Sequence, residues 1–204
     1  MLAQRIEIEP QQRPEDIQAA LQALFPGGIR KVLLVTPPDS ESSQFRPDTA
    51  QRIRYPNYPP YGLAVIAQKL RATGIDVRIV NLNHEVLKAC IDTSGLIDYD
   101  LSWKSKFRRE LLWKPDLVGV TCMFTMTHGS FKNVCGFAKD LGYPVAIGGV
   151  HVTNDVERVL DDIPQADIAF LNEAELAMVK LVEVVNGAPV TELGQVIING
   201  ETRY

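Results

Sequence analysis

Apolar residues in this chain fall in short, unbroken blocks. "KVLLV" (Lys31–Val35), "VRIV" (Val77–Val80), "LVGVTCMF" (Leu117–Phe124), "VAI" (Val145–Ile147) and "DIAFL" (Asp167–Leu171) show little alternation with polar residues. Such runs suit strands covered on both faces, as in a parallel sheet. Between them the period changes. Leu63, Ile66, Ala67 and Leu70 mark one face of a helix that Gly74 stops, and Phe131, Val134, Cys135, Ala138 and Leu141 mark another that ends at Gly142. Asn154 is expected to cap a short helix carrying Val156, Val159 and Leu160. Asn172 is expected to cap the last helix, with Glu175 as its reciprocal partner and an end near Gly187.

Strand and helix alternating in this way predict an α/β fold, a doubly wound five-stranded parallel sheet of flavodoxin-like order 2-1-3-4-5. Three segments exceed that plan. Residues 14–25 read as an additional N-terminal helix with Pro14 at its start. Residues 36–61, polar and rich in proline, far exceed an ordinary strand-to-helix loop of about 2–6 residues. Residues 84–114 hold more than one crossover helix, and Trp103, Phe107, Leu111 and Trp113 predict a second that packs. The end, "VIINGETRY", reads as a truncated hairpin with an Asn199-Gly200 turn. The expected division is a helical extension over 1–29, a ligand-binding domain over 30–190, and a linker or hairpin over 191–204 that leads towards a further domain.

Composition narrows the function. The chain has 204 residues, 46% of them hydrophobic and 23% charged, as in ordinary globular proteins. A formal net charge of −4 gives no reason to expect nucleic acid or a membrane surface as partner. The first residues lack the pattern of a secretory signal, so a cytoplasmic location is the default. The three cysteines, Cys90, Cys122 and Cys135, are too widely spaced for a zinc or iron–sulfur site and fit reduced thiols.

In open parallel sheets ligands bind beyond the carboxyl ends of the strands, where strand order reverses. That rule selects the loops Thr36–Pro38 and Thr121–His128, flanked by Gly148–Thr153 and Leu171–Glu173. They carry no GxGxxG, no GxxxxGK[ST], no acidic pair for magnesium and no nucleophile elbow. What they carry is small and neutral: Thr121, Thr125, Thr127, Gly148, Gly149 and Thr153. Hydroxyls and bare backbone suit a large neutral ligand with amide groups better than a polyphosphate. Met123, Phe124 and Met126 fit either a ligand face or ordinary core. Tyr55, Tyr58 and Tyr61 either close over a ligand or stiffen their proline-rich loop. His84 and His128 read as structural or surface histidines.

Taken in order, "KVLLVTPP", "YPPYGLAVIAQKLRATGIDVRIVNLN", "PDLVGVTCMFT", "PVAIGGVHVT" and "ADIAFLNEAE" resemble the N-terminal cobalamin-binding domain of cobalamin-dependent radical S-adenosylmethionine enzymes over roughly residues 30–186. The resemblance implies a Rossmann-like domain with the corrin ring on the carboxyl ends of the strands and the nucleotide tail beside the sheet. It assigns cofactor contacts to Thr36, Pro37, Pro38, Thr121, Cys122, Met123, Thr125, Gly148, Gly149, His151, Thr153, Asn172 and Glu173. Gly148 and Gly149 are expected to leave room for the dimethylbenzimidazole tail. His151 is open to three roles: axial ligand, contact to the corrin or tail, or packing residue. The Asp-x-His-x-x-Gly motif that places a histidine on cobalt is absent, so base-off cobalamin without a protein axial ligand is expected. Leu171 and Ala174 stand where the family has two glycines. The CxxxCxxC of the radical core is missing, so [4Fe–4S] and S-adenosylmethionine would belong to a C-terminal radical domain of the parent chain, serving methyl transfer or related radical chemistry. The alternative is a cofactor-less regulatory or protein-interaction module on the same fold.

Overall fold

A computed structural model describes residues 14–190 and 196–198. The elements follow the predicted alternation. They are α1 (Pro14–Leu24), β1 (Lys31–Thr36), α2 (Pro47–Gln51), α3 (Tyr61–Ala72), β2 (Asp76–Asn81), α4 (Leu82–Asp92), α5 (Tyr99–Leu111), β3 (Leu117–Thr121), α6 (His128–Asp140), β4 (Val145–Gly148), α7 (Val150–Asn154), α8 (Val156–Asp162), β5 (Ile168–Phe170), α9 (Ala174–Val185) and β6 (Val196–Ile198). Among the described residues the sheet runs β2-β1-β3-β4-β5-β6. The first five strands are parallel in the expected order. The sixth pairs antiparallel with β5, Ala169 opposite Ile197. Val196–Ile198 therefore extends the sheet to six strands, and the expected Asn199-Gly200 turn lies outside the described residues.

The strands are buried on both faces, yet the pleat still sorts their residues. Val32 and Leu34, Leu117, Ala146, Ile168 and Phe170 pack against α1, α3 and α9. Leu33 and Val35, Val118, Val120, Val145, Ile147 and Ala169 pack against α4, α5, α6 and the α7–α8 pair. Below, these are the α9 face and the α6 face.

Polar side chains clamp the amino edge of the sheet. Asp116 accepts from Arg30 N and Lys31 N at 2.8 and 2.9 Å. Asp167 accepts from Val145 N at 2.8 Å, and Asn186 both donates to and accepts from the Ile29 backbone at 2.8 Å. Each bond satisfies a main-chain group that the ladder leaves over.

The long connection after β1 is an ordered strap. Phe45 stacks on Tyr55 at 5.4 Å and leans on Tyr99 at 5.1 Å. Buried Asn83 at the start of α4 is its main polar anchor. It accepts from Asp39 N (3.1 Å) and donates to Asp39 Oδ2 (2.8 Å) and Pro56 O (3.1 Å). Burial pushes the Asp39 carboxyl up to about 6. The predicted second crossover helix is α5, with Trp103, Phe107 and Leu111 buried.

Candidate functional site

Strand order reverses between β1 and β3, and there the α9 face is lined by small residues. Alternation places Thr36, Gly119, Thr121, Ala146 and Gly148 on that face, and Thr121 pairs with Gly148 across the ladder. A Cβ at Gly119 would meet Leu34 Cδ2 at 2.9 Å and Met178 Cε at 3.7 Å. The space above the stripe is therefore held by flexible ends of side chains and not by backbone. At its mouth the buried Thr36 Oγ1 has no hydrogen-bond partner among the described residues, a costly state for a hydroxyl unless something else satisfies it. Pro37 and Pro38 are buried, and Pro38 O accepts from Ser130 Oγ on α6.

The two glycines after β4 differ. A Cβ at Gly148 would make ordinary contacts with Phe170 at 3.5 and 3.6 Å. At Gly149 it would lie 2.4 Å from Cys122 O and 2.9 Å from Cys122 C. Gly149 has φ 108° and ψ 172°, a region open essentially only to glycine. This conformation lets Cys122 N donate to Gly148 O at 2.8 Å while His151 N donates to Cys122 O at 3.1 Å. At Gly149 the neighbour that excludes a side chain is the protein's own β3 exit. Cys122 follows β3 directly. Its thiol is buried in the α6-face core, 3.3 Å from Thr127 Oγ1, and burial raises its pKa.

Beyond Cys122 the chain turns outward. Met123, Phe124 and Met126 are 51%, 58% and 77% exposed, an apolar loop at the carboxyl edge rather than core. Tyr58 in the strap, Tyr61 at the start of α3 and Val150 at the start of α7 are exposed as well. Thr125 opens a 3₁₀ turn (Thr125–Thr127), and its Oγ1 lies 3.2 Å from Nδ1 of buried His151. His151 Nε2 lies 2.9 Å from His128 Nδ1, and His128 Nε2 lies 2.7 Å from Asp162 Oδ2. Lys132 Nζ donates to the other oxygen of Asp162 at 2.7 Å. Nothing in the sequence signals this line, since its members come from four elements. Burial, with His128 close by, holds His151 below the usual imidazole pKa. A cleft of about 630 Å³ opens beside it, lined in part by Thr125, both histidines and Arg158.

At the β5 exit, Asn172 has φ 55° and its N–H donates to Thr153 Oγ1 at 2.8 Å. The first residue before α9 is Glu173, with no side-chain cap, so the expected Asn172 cap is corrected; a left-handed residue cannot serve as an extended N-cap. Asn154 is likewise the last residue of α7, and Asp155 precedes α8. Thr153 and Asn172 thus tie the β4 and β5 exits together, and Glu173 is exposed beside them.

The model of the B12 binding domain matches residues 54–182. The chain belongs to the B12-binding domain family. This B12-binding domain is similar in fold to solved structures of the radical S-adenosylmethionine methyltransferase TsrM from Kitasatospora setae. One, with tryptophan substrate and a S-adenosylmethionine analogue, aligns with TM-score 0.64 and 20% identity over 84% of this chain and 29% of that one. Another, with cobalamin and a [4Fe–4S] cluster, aligns with TM-score 0.64 and 19% identity over 85% and 28%. The B12-binding domain here spans less than a third of the length of those chains. A cobalamin-binding protein from Desulfitobacterium hafniense aligns at TM-score 0.42 and 21% identity over 82% of this chain and 65% of that one. No curated protein matches the chain.

The residues present fit cobalamin. The small-residue stripe is bounded by movable side-chain ends, an unsatisfied hydroxyl waits at its mouth, and the loop beyond is apolar and exposed. Among the described residues no group of three or more His, Cys, Asp or Glu could hold a metal ion, and no helix is long and apolar enough to cross a membrane.

Proposed function

We propose that this domain binds cobalamin at the carboxyl edge of its sheet and serves as the cobalamin-binding part of a larger radical S-adenosylmethionine enzyme. The observation that carries the reading is the stripe Gly119, Thr121, Ala146 and Gly148 ending at the unpartnered Thr36 hydroxyl, at the point where strand order reverses. Thr36, Thr121 and Gly148 would border the nucleotide tail. Met123, Thr125, Thr153, Asn172 and Glu173 would meet the corrin and its amide arms. Pro37 and Pro38 would back the turn, while Gly149 and Cys122 act through their backbones. Both ring nitrogens of His151 are engaged by Thr125 and His128, which supports cobalamin without a protein ligand on cobalt.

Cobalamin, when bound, carries a methyl group or assists radical chemistry, and the protein's task is to orient it and to keep water from its buried side. Cys90, Cys122 and Cys135 are buried free thiols. They fit a reducing, cytoplasmic setting and leave the [4Fe–4S] cluster and S-adenosylmethionine to a C-terminal domain beyond residues 30–190. Reconstitution with hydroxocobalamin followed by desalting tests the reading. A retained, stoichiometric chromophore is the expected outcome, and colourless protein would refute it. That second outcome would favour the cofactor-less interaction module, for which the Leu34 and Met178 ends above Gly119 are the supporting observation.

A further inference from the structure

The hydrogen-bond line from Thr125 to Lys132 has a direction that its chemistry fixes. Asp162 is an acceptor at both oxygens, held below the usual carboxylate pKa by hydrogen bonds from Lys132 and His128. His128 must therefore carry a proton on Nε2 whatever its charge. Its Nδ1 faces His151 Nε2 at 2.9 Å, and one proton lies between them. If His128 is neutral, His151 Nε2–H donates to it. His151 Nδ1 is then an acceptor, and the Thr125 hydroxyl proton is spent inside the protein. If His128 is charged, its Nδ1–H donates to His151 Nε2. The His151 proton then sits on Nδ1 and donates to Thr125 Oγ1, so the hydroxyl proton of Thr125 is released towards the cleft.

We propose that His128, oriented by Asp162, sets the hydrogen-bond polarity of Thr125 through the tautomer of His151. With His128 neutral the Thr125 hydroxyl can only accept from a ligand; with His128 charged it donates, the polarity that an amide carbonyl requires. Its use for cobalamin rests on the functional reading above, whereas the switch itself does not.

The proton count balances. The Nε2 proton of His151 passes to His128 Nδ1, Thr125 Oγ1 gives its proton to His151 Nδ1, and a solvent proton from the cleft restores the hydroxyl. One proton is gained in total and no other reactant is needed. The charged groups that face the pair are Lys132 from α6, Asp155 before α8, and Arg158, Asp161 and Asp162 from α8. His151 itself resists charging, because it is buried beside His128. His128 and Asp162 are positioning residues in this scheme.

Imidazole nitrogen NMR of the ligand-free protein tests it. The chain has three histidines, and His84 is an internal reference, since its Nδ1 lies 2.9 Å from the Asn57 amide nitrogen. As pH is lowered, the hydrogen-bonded pair of His128 and His151 should take up one proton, on the His128 side. In the same step His151 should stay neutral and move its proton from Nε2 to Nδ1. In Asp162→Asn both events should shift together to lower pH. A His151 that charges on its own, keeps one tautomer throughout, or switches at an unaltered pH in Asp162→Asn would overturn the proposal. Hydroxocobalamin titration then reads the consequence. Affinity should tighten by about 3–10-fold from the neutral to the charged state, the worth of one hydrogen bond, and Thr125→Val should abolish that dependence. A pH-independent affinity in the unaltered protein would refute the role of the switch in binding. Failure to bind cobalamin at any pH would instead refute the functional reading and leave the NMR result standing.

Discussion

Replacing Gly149 with alanine should unfold this domain more readily, whether or not cobalamin is present. The added Cβ would sit 2.4 Å from the Cys122 carbonyl oxygen and 3.0 Å from Cys122 N, both of them backbone atoms that cannot rotate away. Alanine would also have to hold φ 108° and ψ 172°, at a cost of about 1–3 kcal/mol. Overpacking adds about 1–3 kcal/mol. Relief by movement would break the bond from His151 N to Cys122 O and disturb the start of α7. The sum is about 2–6 kcal/mol, a large part of a typical stability of about 5–15 kcal/mol. With a urea slope of about 2–3 kcal/mol/M, the midpoint should fall by roughly 0.7–3 M. Gly148→Ala is the matched control. Its Cβ makes only ordinary contacts, so its midpoint should stay within about 0.3 M. Urea unfolding followed by circular dichroism decides between them. Equal midpoints for the two variants would refute the claim that Gly149 is required by the crossing of the β3 and β4 exits.

Thr36→Val removes a hydroxyl that nothing among the described residues satisfies. It should raise or preserve the melting temperature of the free protein while weakening hydroxocobalamin binding by about 3–10-fold; a lowered melting temperature would indicate a missed internal partner. Asp39 titrates in the folded protein at about 6 against 3.8 in the unfolded chain. The folded state therefore binds the extra proton, and stability should decline as pH rises across that window. Asp39→Asn should flatten the decline in urea midpoints measured between those pH values. Asn83→Ala leaves Asp39 N and Pro56 O without their bonds and should cost about 1–3 kcal/mol, with faster amide exchange confined to the strap. His151→Ala should leave the cobalt bands of the reconstituted protein in place; a clear spectral shift would show that His151 reaches the metal.

The core was legible because burial on both faces leaves a plain mark: unbroken β-branched runs became β1 to β5, and 3.6-period stripes became α3 and α6. The caps were misread at Asn154 and Asn172, where the local signal was sound but tertiary bonds won. Asn172 turns left-handed so that its N–H can reach Thr153. The adjacent glycines were rightly marked as special, yet no single sequence tells a glycine that yields to a ligand from one that yields to neighbouring backbone. Sequence also could not bring His128 and Asp162 together, because β4 and α7 separate α6 from α8 in the chain and the two helices meet only in the fold. The order of the strap was not legible in the sequence, since it depends on Asn83 and on Tyr99, both beyond β2.

The fastened part of the strap, around Phe45 and Asp39, and the small-residue stripe lie on opposite sides of the sheet. Phe45 and Asn83 fasten the strap over α4 and α5, while Thr36, Thr121 and Gly148 look towards α3 and α9. A guest arriving beneath α9 therefore need not unfasten anything on the far side. Entry would be governed by a few pliable side chains such as Met178, and exchange of the guest could proceed with the remainder of the scaffold at rest.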